Sequence, residues 1–309
     1  MKQLLLVLIF AVLPHITVGA GDWCYQSQFS CSVQCSTPND WSKISAKCGE
    51  KKQSPINIVT RKTVHDSKLN SFTFENYDIS NTAIIKNNGH TVQVDLAANI
   101  MISGGRLEGK YKALQLHLHW GNDAGPGSEH TVDGEQYPME LHIVHMKRNY
   151  TDITQALTDP TGVAVLGFMY EEAAQDNIKY KPLIDALLKV KDKGTDSTIP
   201  NMKLTDLILT KDNLANYFRY EGSLTTPRVI KLWSGRFWKK RFLSAKHSFL
   251  LFTETLLQTK QNNEGNVSTC SASARPHCVL VWEQRYLCQH FSTISLCYMC
   301  PWIVILASL

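Results

Sequence analysis

Three things are scarce in this 309-residue sequence: long apolar runs, helical periodicity and any repeated segment. The C-terminal stretch ISLCYMCPWIVILASL is shorter than the roughly 20 residues a helical membrane span needs, and Pro301 interrupts it. Without a repeat there is no case for a solenoid, and without helical periodicity little case for a bundle. A uniformly basic surface is missing as well. The formal net charge is +5, but residues 228 to 309 hold ten Lys and Arg against three Glu and no Asp. That leaves 22 basic and 24 acidic residues in the first 227 positions, so the excess belongs to one end and no nucleic-acid partner is expected. A hydrophobic content of 43% is enough to bury a full core, so disorder is not the default reading.

The N-terminus MKQLLLVLIFAVLPHITVGA has Lys2, an apolar run from Leu4 to Leu13 and small residues at Val18, Gly19 and Ala20. This is the layout of a secretory signal peptide over residues 1–20, cleaved after Ala20. Export permits disulfides, so Cys24, Cys31, Cys35 and Cys48 are expected to staple the N-terminal segment, with three pairings open. The sequon NYT makes Asn149 a glycosylation candidate.

From Gln53 to Pro227 the pattern is one of strands punctuated by Gly, Asn and Asp. TVQVDL (91–96), ALQLHLHW (113–120), MELHIVHM (139–146) and GVAVLGFMY (162–170) are β-rich. The best helix is YKPLIDALLKVKDKG, with Leu183, Ile184, Leu187, Leu188 and Val190 at amphipathic spacing and Gly194 as its stop. The expected fold is mostly β, with a few helices on its surface.

ALQLHLHW places imidazoles where a half-buried strand usually places methyls. Side chains at i and i+2 share a face, so His117 and His119 lie together, opposite Leu116, Leu118 and Trp120. An open tetrahedral zinc site needs a third imidazole, and in MELHIVHM the face shared by Glu140, His142 and Val144 makes His142 the third ligand. His145 falls on the other face, as an ordinary packed or surface histidine. Three histidines without a fourth protein ligand form the catalytic arrangement, whereas a structural site would add cysteine. Gln115 and Glu140, each two residues before a ligand, are placed to accept from the ring N–H groups. A pair of core histidines with unrelated partners is the alternative at this point.

The motifs QSPINI (53–58), NNGH (87–90), QLHLHWG (115–121), GSEHTVDG (127–134), ELHIVH (140–145) and FRYEGSLTTP (218–227) occur in one order that resembles the α-class carbonic anhydrases. The likeness spans roughly residues 23 to 227. The opening WCY, the cysteines and the signal peptide most resemble the family's extracellular, membrane-anchored type IV branch. The resemblance implies an α+β fold, a large twisted, mainly antiparallel central sheet with peripheral helices. It also implies a Zn2+ enzyme that interconverts carbon dioxide with bicarbonate and a proton through zinc-bound hydroxide. His117, His119 and His142 match the zinc ligands, and Thr225 matches the hydroxyl that donates to Glu129 and accepts from the hydroxide. Val144, Val165, Leu224 and Thr226 match the substrate pocket. His90 matches the proton shuttle, with Asn88, Gln93 and Tyr25 on the water-lined side. A monomer is expected, exported and attached to the membrane through a lipid anchor, for which SAS at 271–273 supplies small residues. The alternatives are a non-catalytic cell-surface binding domain on the same scaffold, which usually shows a lost ligand, or an inactive or misfolded truncated isoform.

The likeness stops after Pro227, so the expected organisation is a signal peptide (1–20), a carbonic anhydrase domain (21–227) and a divergent tail (228–309). The family continues with a pattern close to T-C-N-x-x-V-V-W-T-V, a central strand whose Trp lines the pocket and whose Cys pairs with one near the N-terminus. This chain reads RVIKLWSGRFWKKRFL. Back-translated from the third base of each codon, Pro227 to Lys240 permits T-C-N-x-A-V-V-W-T-V-L-E-K, so the tail is expected to be a frame-shifted translation. The absence of Asp and the five cysteines between Cys270 and Cys300 agree with this. On this reading a central strand is lost, its neighbours are left with unpaired backbone groups, and Cys48 lacks its partner.

Overall fold

The computed structural model describes residues 23–28, 35–121, 125–174 and 176–227, and the backbone of 231–238 and 242–245. The expected signal peptide, Cys31 and the anchor signal lie outside the described residues. The strands are β1 (Asn57–Ile58), β2 (Phe72–Glu75), β3 (Asn81–Asn87), β4 (Val92–Asp95), β5 (Met101–Gly104), β6 (Tyr111–Trp120), β7 (Thr131–Val132), β8 (Glu135–Gln136), β9 (Met139–Lys147), β10 (Val163–Ala173), β11 (Asp196–Met202), β12 (Tyr217–Ser223), β13 (Lys231–Trp238) and β14 (Phe242–Ala245). Three short helices, α1 (Trp41–Ile44), α2 (Ile153–Ala156) and α3 (Lys181–Leu187), lie outside the sheets.

Eleven strands form one sheet, ordered β11-β3-β4-β6-β9-β10-β13-β12, with β2, β5 and β14 attached beside that path. Pairing is antiparallel except where β10 meets β13 and β14. The four segments expected as strands are β4, β6, β9 and β10. The helix expected up to Gly194 is shorter: α3 ends at Leu187, and Gly194, at φ +86°, belongs to a later turn. Val190 is buried all the same, so the amphipathic spacing found a packed segment and missed where its helix stops.

Both faces of the central strands are covered. Leu116 and Leu118 of β6, Leu141 and Ile143 of β9, and Ala164, Leu166 and Phe168 of β10 pack into the main core with Ile85, Ile102 and Val94. Each large apolar side chain buried there contributes about 1.5–3 kcal/mol relative to exposure. On the opposite face, Val144 and Met146 pack with Val163 and Val165. Two-sided burial explains why β10 opens on a nearly continuous apolar run, VAVLGFM, rather than a strict alternation. His145 is fully buried on the main-core side, 2.6 Å through Nε2 from the Tyr77 hydroxyl.

The expected loss of a central strand is not what the structure shows. β13 lies between β10 and β12, with Val165 beside Gly235 and Tyr220 also beside Gly235. Strand pairing uses backbone N–H and C=O groups that every residue but proline carries, so a strand slot can be filled by a segment poorly suited to it. The expected stapling by four cysteines also needs correction. Cys24 is bonded to Cys35, while Cys48 is free, its Sγ 3.8 Å from the Pro227 carbonyl oxygen.

Candidate metal centre

β6 and β9 run antiparallel in a register that sets His117 directly opposite His142 and His119 opposite Glu140. Directly opposed residues point to the same face, so three imidazoles meet over the sheet. Their ring centroids are 5.0 Å (His117–His119), 5.2 Å (His117–His142) and 4.6 Å (His119–His142) apart. One nitrogen from each ring lies within 4.8 Å of the others.

The outer nitrogens are all held by oxygen. His117 Nδ1 is 2.9 Å from Gln115 Oε1, His119 Nδ1 is 3.3 Å from Glu129 Oε1, and His142 Nε2 contacts Glu140 Oε1. An oxygen acceptor fixes the proton on the nitrogen it faces, so each neutral ring turns a bare lone pair inward. His119 Nε2 and His142 Nδ1 are 3.2 Å apart. Two lone pairs at that distance repel unless a cation lies between them, and tetrahedral zinc with bonds of 2.0–2.1 Å sets nitrogens about 3.3 Å apart. The donor set therefore fits zinc. Burial, with His142 close by, pushes His117 down to about 3 and His119 well below the ordinary imidazole value, which keeps both rings neutral as ligands.

Glu140 is fully buried and satisfied four times over. Oε2 accepts from the backbone N–H of Glu129 at 2.8 Å and of His130 at 2.9 Å, while Oε1 faces His130 Nδ1 at 2.5 Å and His142 Nε2. Burial alone would raise this carboxyl, but His130 and His142 hold it well below the usual range. Behind it a chain continues outward: His130 Nε2 is 3.2 Å from the Tyr220 hydroxyl, and that hydroxyl contacts Ser54 Oγ. Ser54 and Ser223 exchange two 3.0 Å bonds, each backbone N–H donating to the other's hydroxyl. His130, Tyr220 and Ser54 were not singled out from the sequence. All three stand inside the quoted motifs, but no periodicity joins a loop histidine to residues 76 positions before it and 90 after it.

Glu129 is half-buried, its Oε1 3.3 Å from His119 Nδ1, and it lines the same cleft as the hydroxyl-bearing Thr225 and Tyr25. Burial pushes it up to about 8 against the pull of His142 and those hydroxyls. A cation among the histidines would lower it further. Two cavities meet the centre. A small one of about 40 Å³ is lined by His117, His142, Val144, Val165, Leu224 and Thr225. A cleft of about 340 Å³ is lined by His119, Glu129, Thr225, Tyr25, Trp41 and His90.

Not every expected residue reaches these cavities. Thr226 is half-buried and lines neither. Asn88 is exposed, and its Oδ1 accepts from the backbone N–H groups of His90 and Thr91 at 3.0 and 2.9 Å, so it closes the turn carrying His90. Gln93 is registered with His117 and donates through Nε2 to Asp95 at 2.8 Å.

Comparison with known proteins bears on the same residues. Residues 36–276 match the family model of the eukaryotic-type carbonic anhydrases, a match that runs past Pro227. Carbonic anhydrase 4 of Rattus norvegicus is 38% identical over 269 residues, 86% of this chain and 86% of its own length. Carbonic anhydrase 4 of Oryctolagus cuniculus is 40% identical over 227 residues, covering 74% and 72%. Carbonic anhydrase 12 of Homo sapiens is 39% identical over 193 residues, covering 61% and 53%.

Proposed function

The chain belongs to the eukaryotic-type carbonic anhydrases, and on that premise we propose that it hydrates carbon dioxide reversibly to bicarbonate and a proton, with zinc held by His117, His119 and His142. The observation that carries this is the convergence of three imidazoles whose outer nitrogens are all held by oxygen. Zinc bound there supplies a Lewis acid that lowers the pKa of a coordinated water to about 7.

The side chains around it have separable tasks. Val144, Val165 and Leu224 line the small cavity, an apolar wall suited to an uncharged linear substrate. With Thr225 donating to Glu129, as the family pattern implies, its lone pairs are left to accept from the attacking oxygen, whose own lone pair is thereby aimed at carbon. His90, at the cleft, takes the proton that each turnover must release.

Chelation is expected to abolish hydration measured by stopped flow with a pH indicator, and one equivalent of zinc per chain to restore it. Full activity in a chain shown to be metal-free would overturn the proposal. His90→Ala is expected to slow hydration in weak buffer and to be rescued by added imidazole, because a shuttle acts on proton transfer and not on attack. Equal rates across buffers would remove His90 from that role.

We further propose that the enzyme is exported and held at the cell surface by a lipid anchor, acting as a monomer on carbon dioxide and bicarbonate. Support comes from the N-terminal pattern, the Cys24–Cys35 bond and the exposure of Asn149 in the turn after β9. Among the described residues no helix is long and apolar enough to cross a membrane.

The tail carries a separate proposal, motivated by its composition: residues 228 to 309 hold no Asp, and five cysteines fall between Cys270 and Cys300. We propose that residues from about Arg228 onward are read out of frame. Transcripts across the codons for Thr226 to Lys231 that never show another frame would sink this.

A further inference from the structure

Asn87, the last residue of β3, is 2% exposed, and its side-chain amide bridges two segments. Oδ1 accepts from the Gly89 backbone N–H at 2.9 Å, inside the turn that carries His90. Nδ2 donates to the carbonyl oxygens of Val190 at 3.1 Å and Lys191 at 3.2 Å, in the segment that follows α3. The backbone of Asn87 joins the same segment: its N–H donates to the Thr195 carbonyl at 3.0 Å, and its carbonyl accepts from Gly194 N–H at 2.8 Å. Each partner turns at a left-handed glycine, Gly89 and Gly194, both at φ +86°. The Lys193 stem lies over Gly89, where an added Cβ would meet Lys193 Cδ at 2.8 Å. The far end of the turn is fixed separately, by Thr91 Oγ1 donating to the Leu118 carbonyl of β6 at 2.6 Å. His90 lines the cleft, whereas neither Asn87 nor residues 190–195 do.

A proton shuttle works only while its imidazole stands where it can exchange a proton with the cleft, so a turn that wanders lowers the rate. A buried amide resists such wandering, because its donors and its acceptor stay paired only while the turn and the segment keep their places. We propose that Asn87 is a positioning residue for His90, and that residues 190–195 are the seat against which its amide holds the 87–91 turn. The seat acts on proton transfer and leaves the attack on carbon dioxide alone, since the three zinc-binding histidines are placed by the register of β6 and β9. This rests on the reading of His90 as the shuttle.

The test compares the zinc-loaded full chain with Asn87→Ala, His90→Ala and the two together, and with Gly194→Val and Gly194→Asn. Asn87→Ala is expected to lower kcat in weak buffer, which reads proton transfer, by about three- to tenfold, the effect of one hydrogen bond. Its kcat/KM, which reads the attack, should stay at the parent's value, and added imidazole should restore kcat. Adding Asn87→Ala to His90→Ala should cost nothing more. A Cβ added at Gly194 meets open space, so only the backbone conformation is at stake there. Gly194→Val, which resists a φ of +86°, should reproduce the loss in kcat, and Gly194→Asn, which tolerates it, should keep parental kinetics. This pair carries the test if Asn87→Ala does not fold. Hydrogen exchange of the metal-free protein gives an independent readout: residues 87–91 should exchange faster in Asn87→Ala and Gly194→Val and at the parental rate in Gly194→Asn. Equal falls in kcat and kcat/KM, a lowered Tm with unchanged kinetics, multiplicative losses in the double variant, equal kinetics in the two Gly194 variants, or parental exchange at 87–91 would each overturn the proposal. Parental kcat in His90→Ala overturns the shuttle reading and the proposal with it, whereas a zinc-loaded parent that hydrates no carbon dioxide overturns the carbonic anhydrase reading beneath both.

Discussion

His142→Ala is expected to abolish stoichiometric zinc binding and to lower kcat/KM for carbon dioxide hydration by about a thousandfold or more. A Lewis acid contributes several kcal/mol to a transition state that develops charge, and each 1.36 kcal/mol is tenfold in rate. Two histidines cannot replace three here, because they share one strand face at i and i+2 and leave the β9 side of the site without a donor. The loss should be larger than for Gln115→Ala, which removes only the acceptor of His117 Nδ1 and belongs to the 10–100-fold class of outer partners. His142→Ala also strands part of Glu140, which keeps two backbone donors and His130, so the variant should remain folded. Zinc by mass spectrometry and hydration by stopped flow check both statements. Unchanged zinc content with full activity would exclude His142 as a ligand.

The second large effect concerns the tail. A version carrying the shifted reading over residues 228–240 is expected to be secreted in greater yield than the chain as written, and at least about tenfold more active per molecule. The reasoning is local. β13 occupies a slot between β10 and β12, and a strand with neighbours on both sides favours β-branched and aromatic residues. As written, that slot receives Lys231, Ser234, Gly235 and Arg236. The shifted reading supplies V-V-W-T-V there, which fits that preference. It also sets a cysteine two residues after Pro227, whose carbonyl is 3.8 Å from Cys48 Sγ, so Cys48 should lose its reactivity to thiol reagents. Equal yield, equal activity and an equally reactive Cys48 in the two versions would show that the tail as written serves the fold.

The residues differ in how far the sequence could speak for them. His117, His119 and His142 were legible because a strand's period of two is strict: once β6 and β9 are recognised, the face of every side chain follows. His145 was separable from His142 by the same rule, and the structure sets it on the core side against Tyr77. The layout of His130, Tyr220 and Ser54 was not legible, because two loop residues and one on β12 meet only through tertiary packing, and no local pattern encodes that meeting. Asn88 differs again: its place in a motif suggested the water-lined side, while its Oδ1 accepts from the backbone N–H groups of the turn that carries His90.

By itself, then, the sequence determined the chemistry available, three imidazoles on matching strand faces with a hydroxyl and a carboxylate in known order, because side-chain direction along a strand is set by covalent geometry. Only the tertiary structure decided which partners orient them and where the tail goes. Those outcomes depend on strand register and on backbone pairing, and backbone groups are nearly the same for every residue, so a poorly suited segment can enter the β13 slot without leaving a warning in the pairing itself.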